Sequence, residues 1–109
     1  MSGDWSAKTE FGRLAFTIDP NGKSVTTMVV EISNYTCGGT TLTTQEQTLS
    51  LWPISAGEFS NTINLDPGRI EDLSLDGSYS HSDRRFSGTW EEDAYGTHCS
   101  GRWETPARK

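Results

Sequence analysis

Apolar and polar residues alternate along most of this chain, which is the pattern of β-strands that bury one face. The segments 14–18 and 28–32 place apolar side chains at every second position, and Leu73, Leu75 and Tyr79 share one face of a third segment. No window of useful length shows the 3.6-residue period of an amphipathic helix. The chain is therefore predicted to be all-β.

Turn signals separate the alternating segments at fairly regular intervals. Asp19-Pro20-Asn21-Gly22 and Asp66-Pro67-Gly68 combine a proline that fixes φ with a glycine that can adopt a positive φ. A long strand is predicted from Ser24 to Cys37 and another from Ile70 to Tyr79, although a hairpin at Asp76-Gly77 could split the second. This spacing predicts an antiparallel β-sandwich or a small β-barrel of seven to eight strands.

The apolar core of such a domain has to be thin. The 109 residues suit one domain spanning residues 1–109, but Leu, Ile, Val and Phe make up only 19 of them, while Ser and Thr supply 27. Gly and Trp lie two apart in Gly3-Asp4-Trp5, Gly88-Thr89-Trp90 and Gly101-Arg102-Trp103. Each glycine leaves space for an indole on its own or a neighbouring strand, so these tryptophans are predicted to enlarge the core.

Cys37 and Cys99 are the only cysteines, and they allow two interpretations. A disulfide between two strands would stabilise a thin core by about 4 kcal/mol in the chain-entropy model. The alternative is a pair of buried thiols in a reducing compartment. The disulfide is the preferred prediction, and with it an oxidising compartment outside the cytoplasm.

Several short motifs resemble those of small, uncharacterised β-rich domains in bacterial secreted or envelope-associated proteins. They are the early Gly-x-Trp, Phe16 before the Asp19-Pro20-Asn21-Gly22 turn, Cys37-Gly38-Gly39, and His98-Cys99-Ser100-Gly101-Arg102-Trp103. The resemblance covers nearly the whole chain and implies an all-β fold with paired cysteines. It implies no catalytic residue.

Three aromatic residues are the candidate ligand-binding residues. Trp52 is out of phase with Leu49 and Leu51 and precedes Pro53, so it is predicted to lie outside the main core. Tyr35 lies near the end of a long strand, and Tyr95 lies in a predicted hairpin loop. Exposed aromatic rings can stack on sugar rings, although a small apolar cluster under a loop would explain the same residues.

Composition and motifs weigh against most other kinds of site. A net charge of −6 disfavours binding to nucleic acid, and no apolar stretch is long enough for a transmembrane helix. His98 should point away from the adjacent Cys99, which makes a catalytic dyad improbable. The acids Glu91, Glu92, Asp93 and Glu104 are expected to be mostly solvent-facing. No catalytic residue, metal ligand or cofactor is therefore predicted.

The preferred function is a non-catalytic β module of a secreted or cell-envelope protein that binds carbohydrate. The alternatives are a structural or protein-interaction domain, and a small-ligand-binding barrel or enzyme. A glycan or another protein is the expected partner, and the oligomeric state is left open. The N-terminus has no signal-peptide pattern, so either the chain begins in the cytosol or it is a domain cut from a longer secreted protein.

Overall fold

The computed structural model describes residues 2–48, 52–64 and 71–108, and these form nine β-strands. The strands are β1 (Gly3–Thr9), β2 (Gly12–Ile18), β3 (Ser24–Cys37), β4 (Thr40–Thr48), β5 (Trp52–Pro53), β6 (Glu58–Asn64), β7 (Glu71–Ser80), β8 (Arg85–Ala94) and β9 (Thr97–Glu104). No helix long and apolar enough to cross a bilayer occurs in these ranges.

The strands form two antiparallel sheets that pack face to face. The first sheet has the order β1-β2-β3-β4, with β5 also paired to β3, and the second has the order β6-β7-β8-β9. The all-β prediction is confirmed as a sandwich, and the alternative of a closed barrel is wrong. The predicted count of seven to eight strands missed the two-residue β5, which pairs Val25 with Trp52 after the chain returns to β3.

The turn after β2 forms as its sequence predicts. The Gly22 N–H donates to the Asp19 carbonyl at 3.0 Å, and Gly22 adopts a φ of 71°. The alternative hairpin at Asp76-Gly77 is wrong, because β7 runs without a break through both residues. The predicted turn Asp66-Pro67-Gly68 lies outside the described residues, as do Leu49 and Leu51 of the predicted strand that precedes Trp52.

The inward faces of both sheets meet in one hydrophobic core whose centre is aromatic. Phe16 of β2 makes edge-to-face contacts with Phe59, Phe86 and Trp103 of the second sheet, at centroid distances of 5.5, 5.2 and 5.7 Å. The predicted inward set of Leu14, Phe16, Ile18, Met28, Val30 and Ile32 is buried. Aromatic rings thus fill the interior that scarce aliphatic side chains leave open.

Two of the three Gly-x-Trp segments pack as predicted. Trp90 lies directly opposite Gly101, and Trp103 lies directly opposite Gly88, on adjacent strands of the second sheet. A Cβ atom at Gly101 would lie 2.7 Å from the Trp90 Nε1 atom. The glycines are therefore required by the indoles beside them.

The Cys37–Cys99 disulfide connects the two sheets. It joins the last residue of β3 to β9, with 5.8 Å between the two Cα atoms. Cys37 is fully buried, and Cys99 is partly buried against the core. The preferred prediction of a disulfide is confirmed.

Candidate functional site

Trp52 lies inside the core, so the prediction of its position is wrong. Its side chain is 2% exposed and packs at 6.2 Å from the Phe59 ring. The prediction fails because the pairing of β5 with the start of β3, and not the phase of the residues before Trp52, sets the side on which this indole lies. An indole with this exposure has no free face on which a sugar ring could stack.

Tyr35 lies at the other end of β3 and is partly buried. Its ring meets Trp90 edge to face at 5.7 Å. Burial and then the charges of Glu10 and Glu92 raise the pKa of the Tyr35 phenol. Ten positions along β3 separate Val25, the partner of Trp52, from Tyr35, which is a distance of roughly 30 Å. The structure therefore does not bring Trp52 and Tyr35 together.

Tyr95 is the exposed aromatic side chain that was predicted for the hairpin between β8 and β9. It is 44% exposed and adopts a φ of 50° in the turn. No other large hydrophobic side chain is exposed in residues 2–48, 52–64 and 71–108. The roles of Tyr35 and Tyr95 in ligand binding remain predictions.

A groove of about 1300 Å³ crosses the outer face of the second sheet. Its floor contains two rows of side chains that cross all four strands, and the strand ladders pair all the neighbours in these rows except Asp76 and Thr89. The first row is Ser60, Asp76, Thr89 and Arg102, and the second is Glu58, Ser78, Ser87 and Glu104. Pro53, Ser55 and Ala56 line it from the connection between β5 and β6, and Lys8 of β1 also borders it. We call this feature the outer-face groove.

The β7–β8 ladder is interrupted beneath the outer-face groove. The ladder pairs Leu75 with Trp90 and Ser78 with Ser87, but it does not pair the two residues that lie between them on each strand. The Trp103 Nε1–H donates to the carbonyl oxygens of Asp76 and Thr89, at 3.0 and 3.3 Å. The indole N–H thus bonds to both strands where the ladder is interrupted.

At this interruption, the Asp76 carboxylate accepts hydrogen bonds from Thr89 on β8. Its Oδ1 accepts from the Thr89 N–H at 2.9 Å, and its Oδ2 accepts from the Thr89 hydroxyl at 2.7 Å. A Cβ atom at Gly88 would lie 1.9 Å from the Asp76 carbonyl oxygen. Side-chain bonds and a glycine therefore fix the shape of the floor.

The outer-face groove carries charges of both signs. Lys8 and Arg102 are cationic, while Glu58, Asp76 and Glu104 are acidic. Arg85 forms an ion pair with Glu104 at 3.4 Å. A surface of mixed charge with several hydroxyl groups suits a polar ligand of low net charge better than a polyanion.

Two glutamates are buried in the sandwich on neighbouring strands. Glu71 of β7 is 2% exposed, and Glu92 of β8 is 1% exposed. Glu92 lies opposite Leu73 on one side and opposite Cys99 on the other, so it faces the same interior as the disulfide. The expectation that the acids near residue 92 are mostly solvent-facing is wrong for Glu92. We call Glu71 and Glu92 the acid pair.

The Glu92 carboxyl group keeps its proton at neutral pH. Neither carboxylate oxygen of Glu92 receives a bond from an N–H or O–H group in the described residues. Burial, followed by the proximity of the Glu71 carboxyl group and the charges of Asp93 and Asp72, raises the Glu92 pKa to about 9. A protonated Glu92 carboxyl group avoids an ionised carboxylate in the core.

His98 lies outside the core, as its alternation with Cys99 predicts. Its Nδ1 atom is 2.6 Å from Asp93 Oδ1, and both side chains are exposed. The hydrogen bond with Asp93 raises the His98 pKa. This surface pair contains no nucleophile.

No group of three or more His, Cys, Asp or Glu side chains suited to a metal ion occurs in the part of the chain that the structure describes. Comparison with protein-family models, with curated proteins and with solved structures gives no match.

Sequence reasoning missed both the acid pair and the outer-face groove. The burial of Glu92 can be predicted from the sequence, because Glu92 is in phase with the apolar residues Trp90 and Ala94. The groove depends on four aligned strands and on the local interruption at Gly88, and no single segment of sequence contains that information.

Proposed function

We propose that this chain is a non-catalytic binding module of a secreted or cell-envelope protein and that it binds carbohydrate in the outer-face groove. The observation that carries the proposal is the chemistry of the groove. Its hydroxyl groups come from Ser55, Ser60, Ser78, Ser87 and Thr89. Hydroxyl, carboxylate and cationic groups together can donate to and accept from the many hydroxyl groups of a sugar.

The disulfide supports a location outside the cytoplasm. Cys37 and Cys99 are joined across the two sheets, and such bonds persist mainly in oxidising compartments. The groove offers little aromatic surface, since Phe59 and Trp103 at its floor are each 3% exposed. Binding there would rest on hydrogen bonds rather than on stacking.

Affinity electrophoresis through gels that contain neutral or acidic polysaccharides tests the proposal. We expect the wild-type protein to be retarded, and Arg102→Ala to bind about tenfold more weakly, because a hydrogen bond to a charged group contributes about 1.5–3 kcal/mol. Lys23→Ala is the matched control, since Lys23 is also an exposed cation but lies in the β2–β3 turn. Equal retardation of all three proteins, or no retardation by any polysaccharide, would contradict the proposal.

A structural or protein-interaction role is the alternative. The edge strand β6 is the part of the fold that could form such an interaction. This strand is at one end of the second sheet, where unpaired backbone groups could pair with another chain. However, the Asn61 Oδ1 atom accepts a bond from the Thr62 N–H at 2.8 Å, which occupies one of these groups. Carbohydrate binding is therefore the better supported proposal. Self-association of the protein, measured by light scattering, would favour the alternative.

A further inference from the structure

We propose that the outer-face groove takes an acidic oligosaccharide, with the carboxylate of one sugar unit held by Lys8 and Arg102 at the β9 end and with neutral units along the rest of the groove. The inference rests on the proposed function and deepens it, because it names the class of carbohydrate that the same groove binds. It is carried by the uneven distribution of charge along the groove. We call Lys8 and Arg102 the basic end.

The basic end combines one cation from each sheet. Lys8 is exposed on β1 of the first sheet, and Arg102 is exposed on β9 of the second. Strands β1 and β9 contact each other, and both side chains line the outer-face groove. The junction of the two sheets therefore places two positive charges beside one end of the groove.

Neither cation of the basic end is paired with an acid in the part of the chain that the structure describes. Lys8 lies opposite Arg13 on β2, and Arg13 is itself paired with Glu31 at 3.1 Å. Arg102 lies opposite Thr89, which has no charge. No ion pair between described residues involves Lys8 or Arg102. Both cations can therefore bind the carboxylate of a ligand.

The acids that line the groove are either engaged by other groups or distant from the basic end. Asp76 accepts two hydrogen bonds from Thr89, at 2.9 and 2.7 Å. Glu104 is paired with Arg85 at 3.4 Å. Glu58 lies on β6, three strand spacings from β9, which is about 14 Å at the usual distance between strands. The groove is therefore basic at β9 and acidic at β6.

This distribution fits a glycan with a single carboxylate at one end of the bound segment. A guanidinium group binds a carboxylate through two parallel hydrogen bonds, and an ammonium group beside it adds a further charge-assisted bond. Additional carboxylates would lie near Asp76 and Glu58 and would be repelled, and the net charge of −6 adds to this repulsion. Uronic acid units separated by neutral sugars therefore match the groove better than an unbroken chain of uronic acids.

Affinity electrophoresis with matched polysaccharides tests the inference. Hyaluronan and gellan contain glucuronic acid units separated by neutral sugars, and reduction of their carboxyl groups gives neutral forms of the same chains. We expect the wild-type protein to bind at least one of them about tenfold more tightly in the acidic form than in the reduced form, because a charged partner strengthens a hydrogen bond. Polygalacturonate, in which every unit is acidic, should bind more weakly than that acidic form.

Lys8→Gln and Arg102→Gln are the informative variants, because each removes a positive charge from the basic end and keeps an amide donor. Each should lower the preference for the acidic form by roughly threefold or more. Lys23→Gln is the matched control, because it changes the net charge by the same amount at an exposed position in the β2–β3 turn. It should keep the wild-type preference. All three side chains are exposed, so the variants should fold like the wild type.

The possible outcomes separate this inference from the proposed function. Equal binding of the acidic and reduced forms, tighter binding of polygalacturonate, or an unchanged preference in Lys8→Gln and Arg102→Gln would overturn the inference but leave a carbohydrate site in the groove. The same loss of preference in Lys23→Gln would also overturn it, since the effect would then come from net charge alone. If no acidic or reduced polysaccharide retards the wild-type protein, the proposed function fails and this inference fails with it.

Discussion

At the scale of single residues, Glu92 should make the stability of the fold depend on pH. In the unfolded chain Glu92 has an ordinary pKa of 4.5, whereas the folded protein holds its proton up to about pH 9. Below the lower value both states are protonated. Between the two values the folded state binds one more proton, so its stability falls as pH rises. Above the higher value this loss is complete.

Replacement of Glu92 by glutamine should remove this dependence. We expect Glu92→Gln to have a larger free energy of unfolding than the wild type at pH 8, and a flatter pH profile between about 5 and 9, because the amide has no proton to gain on folding. Urea unfolding at a series of pH values measures both effects. Glu91→Gln removes the same charge from an exposed position and should follow the wild-type profile. Parallel profiles for Glu92→Gln and the wild type would contradict the prediction.

Gly88 is the second residue whose replacement should have a large effect. A methyl group there would meet the Asp76 carbonyl oxygen at 1.9 Å, which forces the β7 and β8 backbones apart. We expect Gly88→Ala to lower the free energy of unfolding by on the order of 3 kcal/mol, measured by urea unfolding. Ser87→Ala, at the exposed neighbouring position, should change it by less than about 0.5 kcal/mol. Equal unfolding midpoints for the two variants would disprove this role of Gly88.

At the scale of the elements, the Cys37–Cys99 disulfide between β3 and β9 contributes stability that the thin core does not provide. The disulfide closes a loop with a sequence separation of 62. We expect the double variant Cys37→Ala, Cys99→Ala to lose about 4 kcal/mol of unfolding free energy, because the unfolded chain regains the freedom of that loop. Chemical denaturation measures the loss.

The reduced wild-type protein is the control for this prediction, since it lacks the bond but keeps the cysteine side chains. It should be destabilised by a similar amount. If the oxidised and reduced proteins unfold at the same urea concentration, the bond does not contribute as proposed.

At the scale of the whole molecule, local patterns predicted the strands and the interior but not the surface. Alternation identified the inward residues of β2 and β3, and Gly-x-Trp spacing predicted that Trp90 and Trp103 pack against glycines. The position of Trp52 could not be predicted in this way, because it depends on a short strand that returns to a distant partner. The outer-face groove likewise arises only when four strands lie in register.

Each sheet is built from one continuous half of the chain, and this has a consequence for molecules that have been cut. Strands β1 to β5 precede the Ala56-Gly57 turn, and β6 to β9 follow it. A protease that cleaved in this turn would separate the halves in sequence, yet the Cys37–Cys99 bond would still tether them. A nicked molecule should migrate as a single species until a thiol reagent releases its two fragments.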